Sequence, residues 1–191
     1  AGVKNFTPGF SGNLSARYND SIIITTSGSS NGYLSKNDLV EMDFNAKSLE
    51  DGKKPSSEKF LHVEFYKKRP DINYIIHVHC AGLSAFAAAN KDLMLPYMAE
   101  NVFYFGGIPL AKYAMPSSEE LVKNTAVFFD KYDAILMANH GVIIGSATLE
   151  DAYQKLEIAE EYAKTVIFAR MLGGAVALSE EETNKVLALR N

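Results

Sequence analysis

Cysteine is almost absent from this chain, basic charge is not in excess, and no apolar run is long. Cys80 is the single cysteine among 191 residues, which excludes an internal disulfide and fits a reducing, cytoplasmic location. Lys and Arg total 19 against 23 Asp and Glu, for a formal net charge of −4. With no basic cluster to hold a phosphate backbone, a nucleic-acid partner is not expected. No stretch reaches the ~18 apolar residues that cross a bilayer, and no signal-peptide pattern precedes the first motif. A membrane partner is therefore not expected either. Internal repeats and linkers are missing too, and 47% of the residues are hydrophobic, so residues 1–191 read as one domain with a full core. The numbering opens on AGVKNFTPGFSGNLS without an initiator Met, which leaves room for an N-terminal helix ahead of it.

What is present concentrates between Pro55 and Cys80, in PSSEKFLHVEFYKKRPDINYIIHVHC, which holds three of the four histidines. Its end reads as a strand. Side chains alternate across a strand, so His77 and His79 point one way and Val78 the other. Paired imidazoles are either a hydrogen-bonded core pair or ligands of a divalent metal, for which neutral imidazole is the commonest protein ligand. A third candidate, His140, ends the strand-like segment DAILMANHG. Two plus one imidazoles from two strand ends would make an open three-ligand site, the pattern of catalytic zinc. Cys80 follows on the opposite parity and reads as a small buried thiol.

Pro55-Ser56-Ser57-Glu58 reads as the opening of a helix that runs to about Arg69, where Pro70 stops it. Ser56 and Ser57 either cap the free N–H groups of the first turn or, with the helix dipole, hold an anion. Glu58 suits the dipole whether or not it does chemistry. His62 lies one turn on, on the face of Glu58 and able to pair with it, and reads as a supporting or core residue. Upstream, FTPGFSGNLSARYND reads as a loop, SIIITT (Ser21–Thr26) as a strand, SGSSNGYLS as a second loop and DLVEMDF (Asp38–Phe44) as a strand. Two Gly/Ser loops flanking one strand are ordinary turns, or an anion cradle of unpaired amides.

Downstream, AGLSAFAAAN reads as a helix, with strand-like pieces at Val102–Phe105 and Ile108–Tyr113. Ser117 and Glu120 form a capping-box pattern for a helix to about Asp130. Asp133–His140 and Val142–Gly145 read as strands. Thr148 and Asp151 open the longest helix, Leu149–Leu172, which Gly173 can close, and Ser179 with Glu182 opens a last one. Interleaved strands and helices predict one sheet covered by helices.

Taken together, SGNLSAR, IITTSG, KPSSEKFLHVEFYKKRPDINYIIHVHCAG, IPLAKYAMPSSEEL and ILMANHGVIIG resemble the class II aldolase/adducin family in order and spacing over nearly the whole chain. Within it they resemble most of all the L-fuculose-1-phosphate aldolase branch. The resemblance implies an α/β fold of three layers, α/β/α, with a central mixed, largely antiparallel sheet. It implies a homotetramer with active sites between subunits. It also implies one zinc per subunit held by His77, His79 and His140, with Glu58 as acid/base. A sugar phosphate would be held by Asn13, Ser27, Gly28, Ser56 and Ser57. Tyr97 would reach a neighbouring subunit's site and help protonate the aldehyde oxygen. A further family tyrosine lies in a C-terminal tail that this chain does not clearly show.

The implied reaction is cleavage of a ketose 1-phosphate to dihydroxyacetone phosphate and an aldehyde through a metal-stabilised enediolate. Zinc would serve as the Lewis acid in place of a Schiff-base lysine, and Glu58 would shuttle the carbon-bound proton. The family's methylthioribulose-phosphate dehydratases and sugar-acid phosphate decarboxylases share the metal triad. Its L-ribulose-5-phosphate 4-epimerases carry Asp where Glu58 stands and another Asp where this chain has Val102-Phe103-Tyr104. Adducin-like binding members lack the metal histidines, all three of which are kept here.

Overall fold

The computed structural model describes residues 6–190. Along them run β1 (Asn13–Tyr18), β2 (Ser21–Thr25), β3 (Leu39–Met42), α1 (Lys59–Lys68), β4 (Tyr74–Val78), α2 (Ala81–Ala88), α3 (Ala99–Phe105), β5 (Leu110–Ala111), α4 (Glu119–Ala126), β6 (Ala134–Met137), β7 (Gly141–Ser146), α5 (Leu149–Met171) and α6 (Glu180–Ala188). The strands form one sheet in the order β3-β2-β1-β4-β7-β6-β5. Every pairing is antiparallel except that of β5 with β6. The fold is three-layer α/β/α with a mixed, largely antiparallel sheet. No helix among the described residues is long and apolar enough to cross a membrane.

Strand alternation sorts the core into two layers. Ile76 and Val78 of β4, with Leu136, Val142 and Ile144, pack against Leu83 and Phe86 of α2 and against Leu156, Ala159 and Ala163 of α5. Ile75, Ile135 and Ile143 take the other parity and meet Leu61 and Phe65 of α1 and Leu121 of α4. Burying each of the larger of these side chains contributes about 1.5–3 kcal/mol. His77 shares the parity of Ile75, so it emerges on the side of the sheet that carries α1.

Several elements depart from the sequence expectation. FTPGFSGNLSARYND is not all loop, because β1 occupies Asn13–Tyr18. Its buried positions are the polar Asn13 and Ser15, so no apolar alternation announces the strand. Val102–Phe105 is helical, not extended. Val102 and Phe105 lie three apart and are both buried on the inner face of α3, and that packing outweighs the strand preference of Val, Phe and Tyr. Helix α1 starts at Lys59 with Glu58 as its N-cap residue, later than the serine pair. Helix α4 is capped by Ser118, whose Oγ accepts from the Leu121 amide at 3.1 Å, not by a Ser117–Glu120 box. The long helix opens as expected, with the Thr148 side chain accepting from the Asp151 amide, and Ser179 with Glu182 forms the last capping box.

Candidate metal centre and active site

Three imidazoles meet where β4 ends and the β6–β7 connection returns. His77 lies in β4, while His79 stands just past its end and keeps the same parity. His140 is not at a strand end; it closes the short connection after Met137, immediately before Gly141 opens β7. Asn139 turns that connection with φ of 54°, a left-handed conformation that Asn tolerates better than most residues. The ring centroids lie 4.8, 4.8 and 5.0 Å apart, and one nitrogen from each ring falls within 4.8 Å of the others.

Two glycines make this approach possible. A Cβ on Gly141 would stand 2.5 Å from the Val78 carbonyl and 2.6 Å from Cδ2 of His79. A Cβ on Gly12, whose φ is 76°, would stand 2.3 Å from the His77 carbonyl. Neither separation is available to real atoms, so backbone must pass where a side chain would be.

Hydrogen bonding sets the ring roles. Nδ1–H of His77 donates to the Val142 carbonyl at 2.9 Å, which leaves Nε2 as the nitrogen that faces the site. That Nε2 lies 3.0 Å from Nε2 of His79 and 2.9 Å from Oε2 of Glu58. Nε2 of His140 lies 3.3 Å from Oε1 of the same carboxylate. Asn13 Nδ2 donates to Glu58 Oε2 at 3.0 Å. Among the described residues, Glu58 Oε1 and His140 Nδ1 are buried with no hydrogen-bond partner.

Protonation follows from burial and mutual charge. Burial, then the neighbouring His77, brings His79 and His140 each down to about 4, so both rings are neutral near pH 7. Burial also pulls His77 down, but the Glu58 carboxylate and the Val142 carbonyl outweigh it and raise it. For Glu58, burial pushes upward, yet His77, His140 and the Asn13 amide hold it well below the usual carboxylate range. Three imidazoles, of which His77 must give up any proton on Nε2 to bind, with a carboxylate beside them whose Oε1 is unpartnered, are the donor set that a divalent ion such as zinc takes with a position left open. The residues present fit that group.

A cavity of about 190 Å³ opens over the cluster and is lined by Asn13, Ser27, Gly28, Ser56, Ser57, Glu58, His79 and His140, among others. Those eight expected site residues are brought together, with His77 fully buried behind them. Tyr97 is not among the lining; it borders a separate hollow with Leu95 and Arg170. Phe10, Gly12 and Pro116, not singled out in the sequence, also line the site, as does Ser117, which the sequence marks only as a helix cap. The SGN run that places Gly12 before Asn13 was the available signal for Gly12. His62 does not pair with Glu58: its ring bonds Ser15 and Asn13. A larger hollow of about 590 Å³ lies between α1 and α4 and holds no histidine, so size does not mark the chemistry here.

Residues 1–167 match the family described as Class II Aldolase and Adducin N-terminal domain. The chain belongs to that family. It is an enzyme of the class II aldolase kind. The L-fuculose phosphate aldolase of Methanocaldococcus jannaschii is 35% identical over 164 residues, covering 86% of this chain and 88% of the relative. A 3-oxo-tetronate 4-phosphate decarboxylase of Haemophilus influenzae is 32% identical over 166 residues, covering 84% and 79%. A solved L-fuculose 1-phosphate aldolase superposes with a TM-score of 0.90 at 30% identity, covering 97% of this chain and 88% of that one. This class II aldolase therefore shares its three-layer architecture with a solved aldolase and its sequence with relatives whose names carry two different reactions on phosphorylated substrates.

Proposed function

We propose that this protein is a zinc-dependent aldolase that cleaves a ketose 1-phosphate, of the L-fuculose 1-phosphate type, to dihydroxyacetone phosphate and an aldehyde. The observation that carries the reading is a triad of imidazoles, one nitrogen from each within 4.8 Å of the others, beside a carboxylate whose Oε1 has no hydrogen-bond partner among the described residues. The aldolase relatives at 35% and 33% identity support the substrate class.

His77, His79 and His140 would hold the ion, whose Lewis acidity would polarise the substrate's carbonyl. Glu58 does the proton work at Oε1. In cleavage the hydroxyl on the carbon that becomes the aldehyde loses its proton as the carbon–carbon bond breaks, and Glu58, taking up a proton at Oε1, delivers it to the dihydroxyacetone phosphate carbon; in condensation Glu58 removes that proton and the aldehyde oxygen gains one. Oε2 stays committed to Asn13 and the His77 edge, so the carboxylate does not rotate between steps. Ser27, Gly28 and Ser57 at the open side of the cavity, with Ser56 behind them, would hold the phosphate through hydroxyls, amides and the positive end of α1. That remote binding energy fixes the reacting carbons in register with Glu58. Tyr97, remote from this chain's own cavity, would serve a second copy in a homotetramer by protonating the aldehyde oxygen in cleavage's reverse direction. The enzyme would work in the cytoplasm.

A second reading has one observation in its favour, the 32% identity to a 3-oxo-tetronate 4-phosphate decarboxylase. Both are tested together. Zinc-loaded protein is assayed on a panel of ketose 1-phosphates for released dihydroxyacetone phosphate, and on 3-oxo-tetronate 4-phosphate for released carbon dioxide. Turnover of the ketose panel supports the aldolase. Turnover confined to the oxo acid replaces it with the decarboxylase.

A further inference from the structure

The cavity explains why Glu58 is where it is, but not what keeps its carboxylate from turning. Behind it runs a buried polar seam between β1 and α1. Glu58, His62 and Tyr66 follow one another at intervals of four along the helix, and Asn13 and Ser15 at an interval of two along the strand. Four residues of helix advance about 6 Å, and two residues of strand about 6.6 Å. The two periods match closely enough to interleave the side chains: Glu58, Asn13, His62, Ser15, Tyr66. The contacts are Asn13 Nδ2 to Glu58 Oε2 at 3.0 Å, Asn13 Oδ1 to His62 Nε2 at 2.5 Å, His62 Nδ1 to Ser15 Oγ at 2.7 Å, and Ser15 Oγ to Tyr66 Oη at 2.8 Å. His62 is 0% exposed.

The directions of these bonds can be deduced. Glu58 is a carboxylate, which only accepts, so Asn13 must turn Nδ2 toward it; the flipped amide would set two acceptor oxygens face to face. Oδ1 of Asn13 is then the atom facing His62 and also only accepts. His62 Nε2 must therefore carry a hydrogen. Burial, then the charge of His77, brings this ring down to about 3 against the opposing pull of Glu58, so it is neutral and Nδ1 is bare. Ser15 donates to Nδ1, and its oxygen takes the Tyr66 hydrogen, whose other acceptor, the Asn73 carbonyl, is more distant at 3.4 Å. Arg17 fixes the far end, its guanidinium 4.9 Å from the Tyr66 ring centroid and bonded to the Tyr66 carbonyl at 2.9 Å. Every hydrogen in the seam points toward the carboxylate.

We propose that His62 is a positioning residue: as the neutral Nε2–H tautomer it locks the Asn13 amide, and through it pins Oε2 of Glu58, leaving Oε1 as the one oxygen free to carry a proton. The assignment deepens the proposed aldolase reaction and rests on Glu58 being its proton carrier. It gives Asn13 a duty distinct from phosphate binding.

The test reads the ring directly. Histidine side-chain ¹⁵N spectra of the chelator-treated and zinc-loaded protein near pH 7, with the His62 signals identified by their loss in His62→Gln, should show one protonated and one bare nitrogen, the proton on Nε2. A proton on Nδ1, or on both nitrogens, overturns the proposal. In zinc-loaded enzyme, His62→Leu removes the donor that holds Asn13. It should lower kcat about 10–100-fold with full zinc content, the range seen when outer-shell partners are lost, and KM should change much less. His62→Gln, whose amide can donate to Asn13 and accept from Ser15, should recover most of the loss. Unchanged kcat in His62→Leu, or a loss confined to a raised KM, overturns it. Should His62→Leu fail to fold, the Gln variant and the tautomer measurement decide. Failure of wild-type enzyme to cleave any ketose phosphate would count against the aldolase reading, whereas the spectra would still decide the seam.

Discussion

His77 donates its Nδ1 hydrogen to the Val142 carbonyl at 2.9 Å, so a backbone group on the neighbouring strand decides which nitrogen of the ring faces the cavity. The acceptor cannot be mutated away, and the ring cannot choose the other tautomer without giving up this bond. Wild-type protein should therefore carry close to one zinc per chain by elemental analysis. Replacing His77, His79 or His140 singly with Ala should bring that content far below one after dialysis. Stripping with a chelator should abolish cleavage, and added zinc should restore it. The stripped protein should also unfold more easily, because an ion present at about a thousand times its Kd adds about 4 kcal/mol. Full activity in metal-free protein would end the argument.

Glu58 is the second test. Glu58→Gln keeps the shape and removes the basic oxygen, so zinc content and the unfolding midpoint should change little. Exchange of the dihydroxyacetone phosphate carbon-bound proton with solvent should fall about 10²–10⁴-fold, read by NMR in deuterium oxide. Exchange at the wild-type rate would assign the proton to another group.

How much of this was readable beforehand depended on whether the signal was local. The His77–His79 pairing follows from a period of two, and the ends of α5 from Thr148 and Gly173, so neither needs the tertiary structure. Strand β1 was hidden because its inward residues, Asn13 and Ser15, are polar: they face a polar seam, so burial left no apolar trace. Helix α3 was misread because Val102, Phe103, Tyr104 and Phe105 favour strands intrinsically, and only burial at Val102 and Phe105 shows the helical spacing. The Asn13–Glu58 contact joins residues 45 apart; a motif can suggest both residues but not that they touch.

Ser57 tests the phosphate cradle. It is exposed at the cavity rim beside Ser27 and Gly28, so Asp can be accommodated there without burying charge. Ser57→Asp puts a negative charge against the proposed phosphate; one like charge at close range should raise KM about tenfold or more, with kcat altered less. Initial-rate kinetics on the best ketose phosphate would show it. An unchanged KM would place the phosphate elsewhere.

Gly12 should tolerate nothing larger. Ala at this position must adopt φ of 76° and bring Cβ within 2.3 Å of the His77 carbonyl. That neighbour is backbone of a central strand and cannot swing aside. Gly12→Ala should cost about 3 kcal/mol or more in urea unfolding and reduce zinc content along with it. A loss of less than about 0.5 kcal/mol would mean that β1 and β4 can separate freely.

The pH dependence of stability can be traced to Lys155, away from the metal. Its Nζ lies 3.0 Å from Asp133 Oδ2 and 3.0 Å from Asp151 Oδ2, and its side chain is only 14% exposed. Burial lowers its pKa, but Asp133 and then Asp151 outweigh that and raise it above its ordinary value. For Asp151, burial pushes upward, while the Ser146 hydroxyl and Lys155 bring it below its ordinary value. A raised lysine adds stability that is complete below its unfolded pKa and is lost as pH rises through the folded one. A lowered aspartate adds stability that is complete above its unfolded pKa and is lost as pH falls through the folded one. Both contributions are therefore intact between about pH 5 and 9. Lys155→Met should destabilise the protein by about 1–3 kcal/mol in that window, between the limits for exposed and buried pairs. The gap from wild type should narrow below about pH 4, where Asp151 takes up its proton. Urea unfolding of chelator-treated protein at both pH values keeps zinc loss out of the comparison, and a gap that widens in acid would reverse the sign argued here.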